Sequence, residues 1–163
     1  MGKHCHPRPP HPPHPPYPPI PPLGRDFATF VALMPSDNPS PIAPGGAVAF
    51  PIDGPSSNGG ISRLSASSFN LECPGSYLVL FQVPVTEAGQ LVIALNGVEA
   101  AYTVVGRAQG NTQIVEMTIV NTFTKNTVLT VRNPAGNVGS ITVTPNAGGA
   151  QPVSAQLNII RLR

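Results

Sequence analysis

The sequence predicts an all-β sandwich or jelly roll preceded by a stiff, extended, proline-rich segment. Two observations carry this: two of every three residues from Pro7 to Pro22 are proline, and after Leu23-Gly24-Arg25 the chain turns into short β-branched runs broken by Gly, Pro, Asn and Ser. A third is negative: no stretch of 11 residues shows helical periodicity. The expected division is a connector over residues 1–24 and a single domain over 25–163, within the size of one ordinary core.

Eleven of the 22 prolines and six spaced side chains build the connector: Arg8, His11, His14, Tyr17 and Ile20 each precede a Pro-Pro pair, and Leu23 closes the series. Proline fixes φ near −65° and biases the residue before it toward extended backbone. Such triplets enforce polyproline II, which has three residues per turn. The sequence period equals the helix period, so those six side chains line one edge, with Cys5 a turn further out. Cys5 to Leu23 would span about 56 Å. Collagen is excluded, because glycine is missing from every third place. A single-edged rod suits insertion into a groove, and a stiff segment loses little entropy on docking. A solvated spacer or a Pro-rich ligand for another protein is the alternative.

In the body, strands are expected over Phe27–Met34, Ala47–Ile52, Ser67–Leu71, Tyr77–Thr86, Gln90–Leu95, Val98–Val105, Gln113–Asn121, Thr127–Arg132, Ser140–Thr144 and Val153–Arg163. Asn96-Gly97 between two apolar runs signals a tight hairpin, since both residues tolerate positive φ. Further breaks fall at Pro44-Gly45-Gly46, Asn58-Gly59-Gly60, Asn133-Pro134-Ala135-Gly136 and Ala147-Gly148-Gly149. Ten short strands with regular turns mean a sandwich or jelly roll.

Charged residues make up 10% of the chain, against roughly 25% in an average soluble domain. A surface of Ser, Thr, Asn, Gln and Gly can be buried against copies of itself without desolvating many ions. The net charge is +2, and the arginines are scattered rather than striped, so no nucleic-acid partner is expected. No apolar run approaches the ~20 residues of a membrane span. The opening Met-Gly-Lys-His-Cys-His-Pro lacks the apolar core of a secretory signal. An extracellular protein of this kind would be placed outside by another route, such as assembly onto a spore by the surrounding cell.

Four stretches carry a resemblance. Pro74-Gly75-Ser-Tyr77-Leu-Val-Leu-Phe81-Gln-Val83 resembles the Gly-x-Tyr-leading strand of the tumour-necrosis-factor and complement globular-head superfamily. Gly89-Gln-Leu-Val-Ile-Ala-Leu95-Asn-Gly-Val-Glu99 with Tyr102-Thr-Val-Val-Gly106-Arg107, and Ala155-Gln-Leu-Asn-Ile-Ile-Arg-Leu162, are similar to the C-terminal domain of the BclA-like glycoproteins of Bacillus spore surfaces. The resemblance covers roughly residues 27–163. It implies a ten-stranded jelly roll, a homotrimer and a place on the exosporium. Upstream the chain departs from that family, with the Pro-Pro-x rod standing where a Gly-x-y stalk would be. That short rod resembles the N-terminal connectors of endospore appendages of the Bacillus cereus group.

Cys5 and Cys73 are the only cysteines. A bridge from Cys5 to Cys73 of a neighbouring subunit would lock a docked connector in an oxidising setting; two free thiols, or Cys5 paired with its symmetry mates, are the alternatives. His4, Cys5, His6, His11 and His14 are metal-ligand types, but their spacing matches no structural zinc pattern, so no metal or other cofactor is expected. Asp37, Asp53, Glu72, Glu87, Glu99 and Glu116 are dispersed and form no calcium run. Every histidine lies in the connector and no Gly-x-Ser-x-Gly occurs, so no enzyme is expected. Phe50, Phe69, Tyr77 and Phe81 read as core or axis packing at alternating strand positions. The resemblance places Tyr102 and Phe123 near the three-fold axis. Together these point to a structural subunit of an endospore appendage, with its own copies as main partner and anchor and tip proteins at the fibre ends. A trimeric adhesin or lectin-like head, or a phage tail-tip protein, would share the fold.

Overall fold

A computed structural model of the chain describes residues 26–108, 113–144 and 148–163, and the connector edge from Cys5 to Leu23 lies outside the described residues. Eleven strands follow in order: β1 Phe27–Leu33, β2 Ile52–Ser56, β3 Ile61–Ser65, β4 Ser68–Leu71, β5 Gly75–Pro84, β6 Gly89–Leu95, β7 Val98–Glu99, β8 Val105–Arg107, β9 Gln113–Thr122, β10 Thr127–Arg132 and β11 Ser154–Arg161. All their pairings are antiparallel. One sheet runs β2-β1-β11-β5-β9 and the other β3-β4-β10-β6-β7, with β8 paired to β6.

Period-2 alternation selects the face of each long strand that meets the core. Ala28, Phe30 and Ala32 of β1, Tyr77, Val79, Phe81 and Val83 of β5, and Ala155, Leu157 and Ile159 of β11 all point inward and are buried. Across from them stands Phe69 of β4, fully buried, its ring centroid 4.4 Å from that of Phe30 and 6.2 Å from that of Phe50. These tilted rings tie the two sheets together near the β2/β3 side.

The tight hairpin expected at Asn96-Gly97 is present: φ is +50° at Asn96 and +83° at Gly97, which matches the two positive-φ residues of a type I′ turn. Gly75 is fixed by space, since a Cβ there would run into the carbonyl oxygen of Arg163.

Three strand expectations need correction and one further strand is present, each for a local reason. Ala47–Ile52 is not a strand; only Ala47 bridges, to Arg132. The Asn38 side chain pairs both the N–H and C=O of Ala49, at 2.9 and 3.0 Å, in place of a neighbouring strand. The ladder begins instead at Ile52. Ile61–Ser65 was not expected, because an edge strand with four exposed residues in five carries no alternation signal. The expected Val98–Val105 strand breaks at Ala101–Thr103 into a 3₁₀ turn. There the Thr103 hydroxyl accepts from Ile93 N–H at 2.9 Å and donates to Ala100 C=O at 2.8 Å, folding the turn back on β6. Ser140–Thr144 reduces to single bridges, Ile141 to Ile42 and Val143 to Val85, because its partners lie in two different loops.

Removing the Phe69 ring should leave a cavity between the sheets. Phe69→Ala is expected to lower unfolding free energy by about 3–5 kcal/mol, read from the urea midpoint; a loss under about 1 kcal/mol would contradict this packing.

Candidate assembly surface

An antiparallel sheet with one face in water is normally polar on that face. The five-stranded sheet breaks this rule. Its outward positions can be read from the register, because Val79 and Phe81 face the core and their neighbours in sequence face out. Ile119 of β9 lies opposite Leu78 of β5, Leu78 opposite Ile160 of β11, and Ile160 opposite Phe27 of β1. One row across four strands is therefore apolar throughout. The next row carries Met117 beside Leu80, and the one after it Val115 beside Gln82. Val115, Met117 and Ile119 are all exposed, Met117 at 68%. β9 thus carries an apolar outer face, Val115, Met117 and Ile119, while standing at a sheet edge; Ile114 and Val120 point into the core, with Glu116 and Thr118 half-buried between them.

The same side of the sandwich carries more exposed apolar surface. Val98 begins β7, Val104 follows the 3₁₀ turn, Tyr102 sits within it at 67% exposure, and Phe123 follows β9 at 88%. Tyr102 and Phe123, 21 positions apart in sequence, line one open cleft of about 420 Å³ with Leu95, Val98, Glu99, Ala100 and Asn121. Among the described residues nothing covers either ring. Phe50, Phe69, Tyr77 and Phe81, by contrast, are core.

Cys73 lies between β4 and β5, half-buried and in no disulfide with a described residue. Its carbonyl accepts hydrogen bonds from the Tyr77 hydroxyl and the Thr122 hydroxyl, so the loop is pinned next to the end of β9. Cys5 lies outside the described residues, as do Arg8, His11, His14, Tyr17, Ile20 and Leu23.

Five of the seven acidic residues have local structural partners. Asp53 of β2 and Arg63 of β3 form a two-pronged pair, 2.8 and 2.9 Å, that spans the free edges of the two sheets. Beneath it lies a second cleft of about 440 Å³. Asp26 pairs with Arg161 at 3.6 Å. Asp37 accepts from Leu33 N–H at 2.7 Å, Glu99 from Ala135 N–H at 2.8 Å, and Glu87 from both the N–H and hydroxyl of Thr142. Among the described residues no three His, Cys, Asp or Glu side chains converge as a metal site would require, and no helix is long and apolar enough to cross a membrane.

The hydrogen bond from Arg63 holds the Asp53 carboxyl below its ordinary range. For Glu87 burial pulls upward, but its hydrogen bonds from Thr142 outweigh that and the carboxyl ends lowered.

No family model matches the sequence, and neither does any curated protein. Solved structures do match. The globular domain of zebrafish complement 1qA protein superposes with a TM-score of 0.56 at 10% identity, covering 84% of this chain and 96% of that one. Murine APRIL at pH 8.5 gives a TM-score of 0.56 at 13% identity over 83% of this chain and 99% of that one, and its pH 8.0 form gives 0.55 at 13% identity over 84% and 98%. The chain has the complement-C1q/tumour-necrosis-factor-like jelly-roll fold. Identities this low carry the fold alone.

A carboxyl whose folded pKa is lowered stabilises the fold above its unfolded pKa and loses that contribution as pH falls through the folded value. Asp53 and Glu87 start from ordinary values of 3.8 and 4.5. The thermal midpoint should therefore drop as pH falls from about 5 to about 3, and Glu87→Gln should flatten that drop. An unchanged acid slope in the variant would remove Glu87 from the account.

Proposed function

We propose that this chain is a structural subunit of an extracellular fibre of the endospore-appendage type. In this reading the jelly-roll bodies form homotrimers, and connectors 1–24 join successive trimers head to tail. The protein has no catalytic role. The observation that carries the reading is the apolar row from Phe27 through Ile160 and Leu78 to Ile119, continued by Met117 and Val115 on an edge strand. Large exposed apolar patches on a soluble domain mark surfaces that meet another molecule.

The partner is most simply another copy. One molecule carries both an exposed apolar edge, with Tyr102 and Phe123, and an apolar row across the outer face of the five-stranded sheet. Packing the edge of one copy on the face of the next is a heterologous contact, and such contacts close into rings when the rotation allows. The resemblance read from the sequence implies that the ring has three members, with Tyr102 and Phe123 near its axis. The scarcity of charge lowers the desolvation cost of that contact. The spore-surface setting, with an anchor protein at one end and a tip protein at the other, likewise follows from the sequence resemblance.

Two outcomes test the reading. Full-length protein should show filaments by negative-stain electron microscopy, and deletion of residues 1–24 should leave discrete trimers. Filaments from the shortened chain would remove the connector from the joint. Met117→Lys places a charge in the apolar face and should turn trimers into monomers on light scattering; trimers unchanged by it would remove this face from the contact. Oxidised assemblies are expected to run as covalent multimers on non-reducing gels through Cys5 and Cys73, and Cys73→Ser should abolish them.

A further inference from the structure

We propose that Asn58 is a site of spontaneous deamidation, and that the fold directs this reaction to Asn58-Gly59 and away from the other Asn-Gly step, Asn96-Gly97. It needs only the fold of the subunit, not the assembly proposed above.

The reaction belongs to the side-chain amide and the backbone of the next residue. The Gly59 nitrogen attacks Cγ of Asn58, a new N–Cγ bond forms, and ammonia leaves with the proton given up by the Gly59 N–H. Water then opens the cyclic succinimide at one of its two carbonyls. Cutting at the side-chain carbonyl gives aspartate, and cutting at the backbone carbonyl gives isoaspartate. Either product adds a negative charge, and water is the only co-reactant.

A side chain on the following residue blocks the attack, so glycine, which has no Cβ, is the permissive neighbour. Asn58 and Asn96 are the asparagines that precede glycine. Asn38 and Asn133 precede proline, which has no N–H to give up.

Both candidates are exposed, so access of water does not separate them. Their hydrogen bonds do. Asn96 is clamped to β10: its N–H donates to Val128 C=O at 2.8 Å, and its Oδ1 accepts from Val128 N–H at 2.8 Å. Swinging Cγ toward the Gly97 nitrogen breaks the second bond and strands a backbone donor. Asn58 stands at φ +54° in the bend that joins β2 to β3. Among the described residues its amide is held by the Ser56 hydroxyl, which donates to Oδ1 at 3.2 Å. That bond lies within the loop and helps the attack, because it points at the oxygen on which negative charge gathers as nitrogen adds to Cγ.

Glycine at 59 is also required by the fold. A Cβ there would run into Oδ1 of Asp26, whose carboxylate is engaged with Arg161. The vulnerable step is therefore built into the loop.

The bend lies at the opposite end of each sheet from β9 and β7. Its Ser57 holds the start of β1, donating from N–H to Phe27 C=O at 2.9 Å and accepting from Phe27 N–H at 3.0 Å. Isoaspartate lengthens the main chain by one methylene beside these bonds. Either product also sets a carboxylate next to Gly59, against which Asp26 stands. Ageing at Asn58 thus loosens the strand start that follows the connector.

The test ages the full chain in mildly alkaline buffer, folded and in denaturant, and follows conversion at positions 58 and 96 by peptide mass spectrometry in ¹⁸O-labelled water. In the folded protein Asn58 should convert about tenfold faster than Asn96, with ¹⁸O in both aspartate and isoaspartate. In denaturant the two rates should come together. Equal rates in the folded protein, or a faster Asn96, would overturn the selection by the fold. An Asn58 that converts only in denaturant would overturn the site. Asn58→Gly keeps the positive φ and cannot deamidate, so its thermal midpoint should hold during ageing while that of the natural sequence falls. An equal fall in both would overturn the loosening of β1.

Discussion

The molecule depends on one constraint at β9: a strand at the open edge of a sheet carries an apolar outer face. Among its inward side chains Ile114 and Val120 complete the core against β5, with which it pairs along ten consecutive positions, and Glu116 and Thr118 stand half-buried between them. Its outward side chains, Val115, Met117 and Ile119, stand exposed, and no layer of described residues covers them. A strand of this kind is stable in water only if something covers it, because exposed apolar edges invite unregulated pairing. The sandwich supplies half of the burial that β9 needs, and the proposed neighbour supplies the other half.

The rest of the fold holds that strand in place. Phe30, Phe50 and Phe69 tie the sheets together at the opposite side, where the Asp53–Arg63 pair straps the free edges. The described loops carry no comparable charge network. They are held by single side chains instead: Asn133 is fully buried, donates to the carbonyls of Ile42 and Gly139, and accepts from Asn137. A subunit with a polar, nearly uncharged exterior and one apolar side is suited to assembly, because the apolar side is then the main source of directional attraction.

Much of this was legible in the sequence, and the failures share a cause. Strands with inward and outward alternation, such as β1, β5 and β11, were placed to within a few residues, as was the Asn96-Gly97 turn. The resemblance carried by the Tyr77 and Leu91–Glu99 stretches pointed to the C1q/tumour-necrosis-factor-like architecture that the solved structures share. What escaped was set by side-chain bonds between distant segments: the Asn38–Ala49 pair that displaces a strand, and the Thr103–Ile93 bond that makes a turn. β3 escaped because it is polar and at an edge. For the site, Tyr102 and Phe123 were singled out by resemblance, and their meeting in one cleft required the fold. The outward row of β9, β5, β11 and β1 was missed. The alternation of Val115, Met117 and Ile119 along Gln113–Asn121 was visible, but only the register shows that Ile119 joins an apolar row across four strands.

The central claim is that β9 is covered on its outer face when the protein is at work. Hydroxyl-radical footprinting of the assembled full-length chain measures this at Met117, which stands 68% exposed on an isolated subunit. Cover by a neighbour predicts oxidation of Met117 slowed several-fold relative to a free methionine peptide, approaching the protection of the core residue Met34. Oxidation of Met117 at the free-peptide rate would show that the outer face of β9 stays in water and would contradict the account.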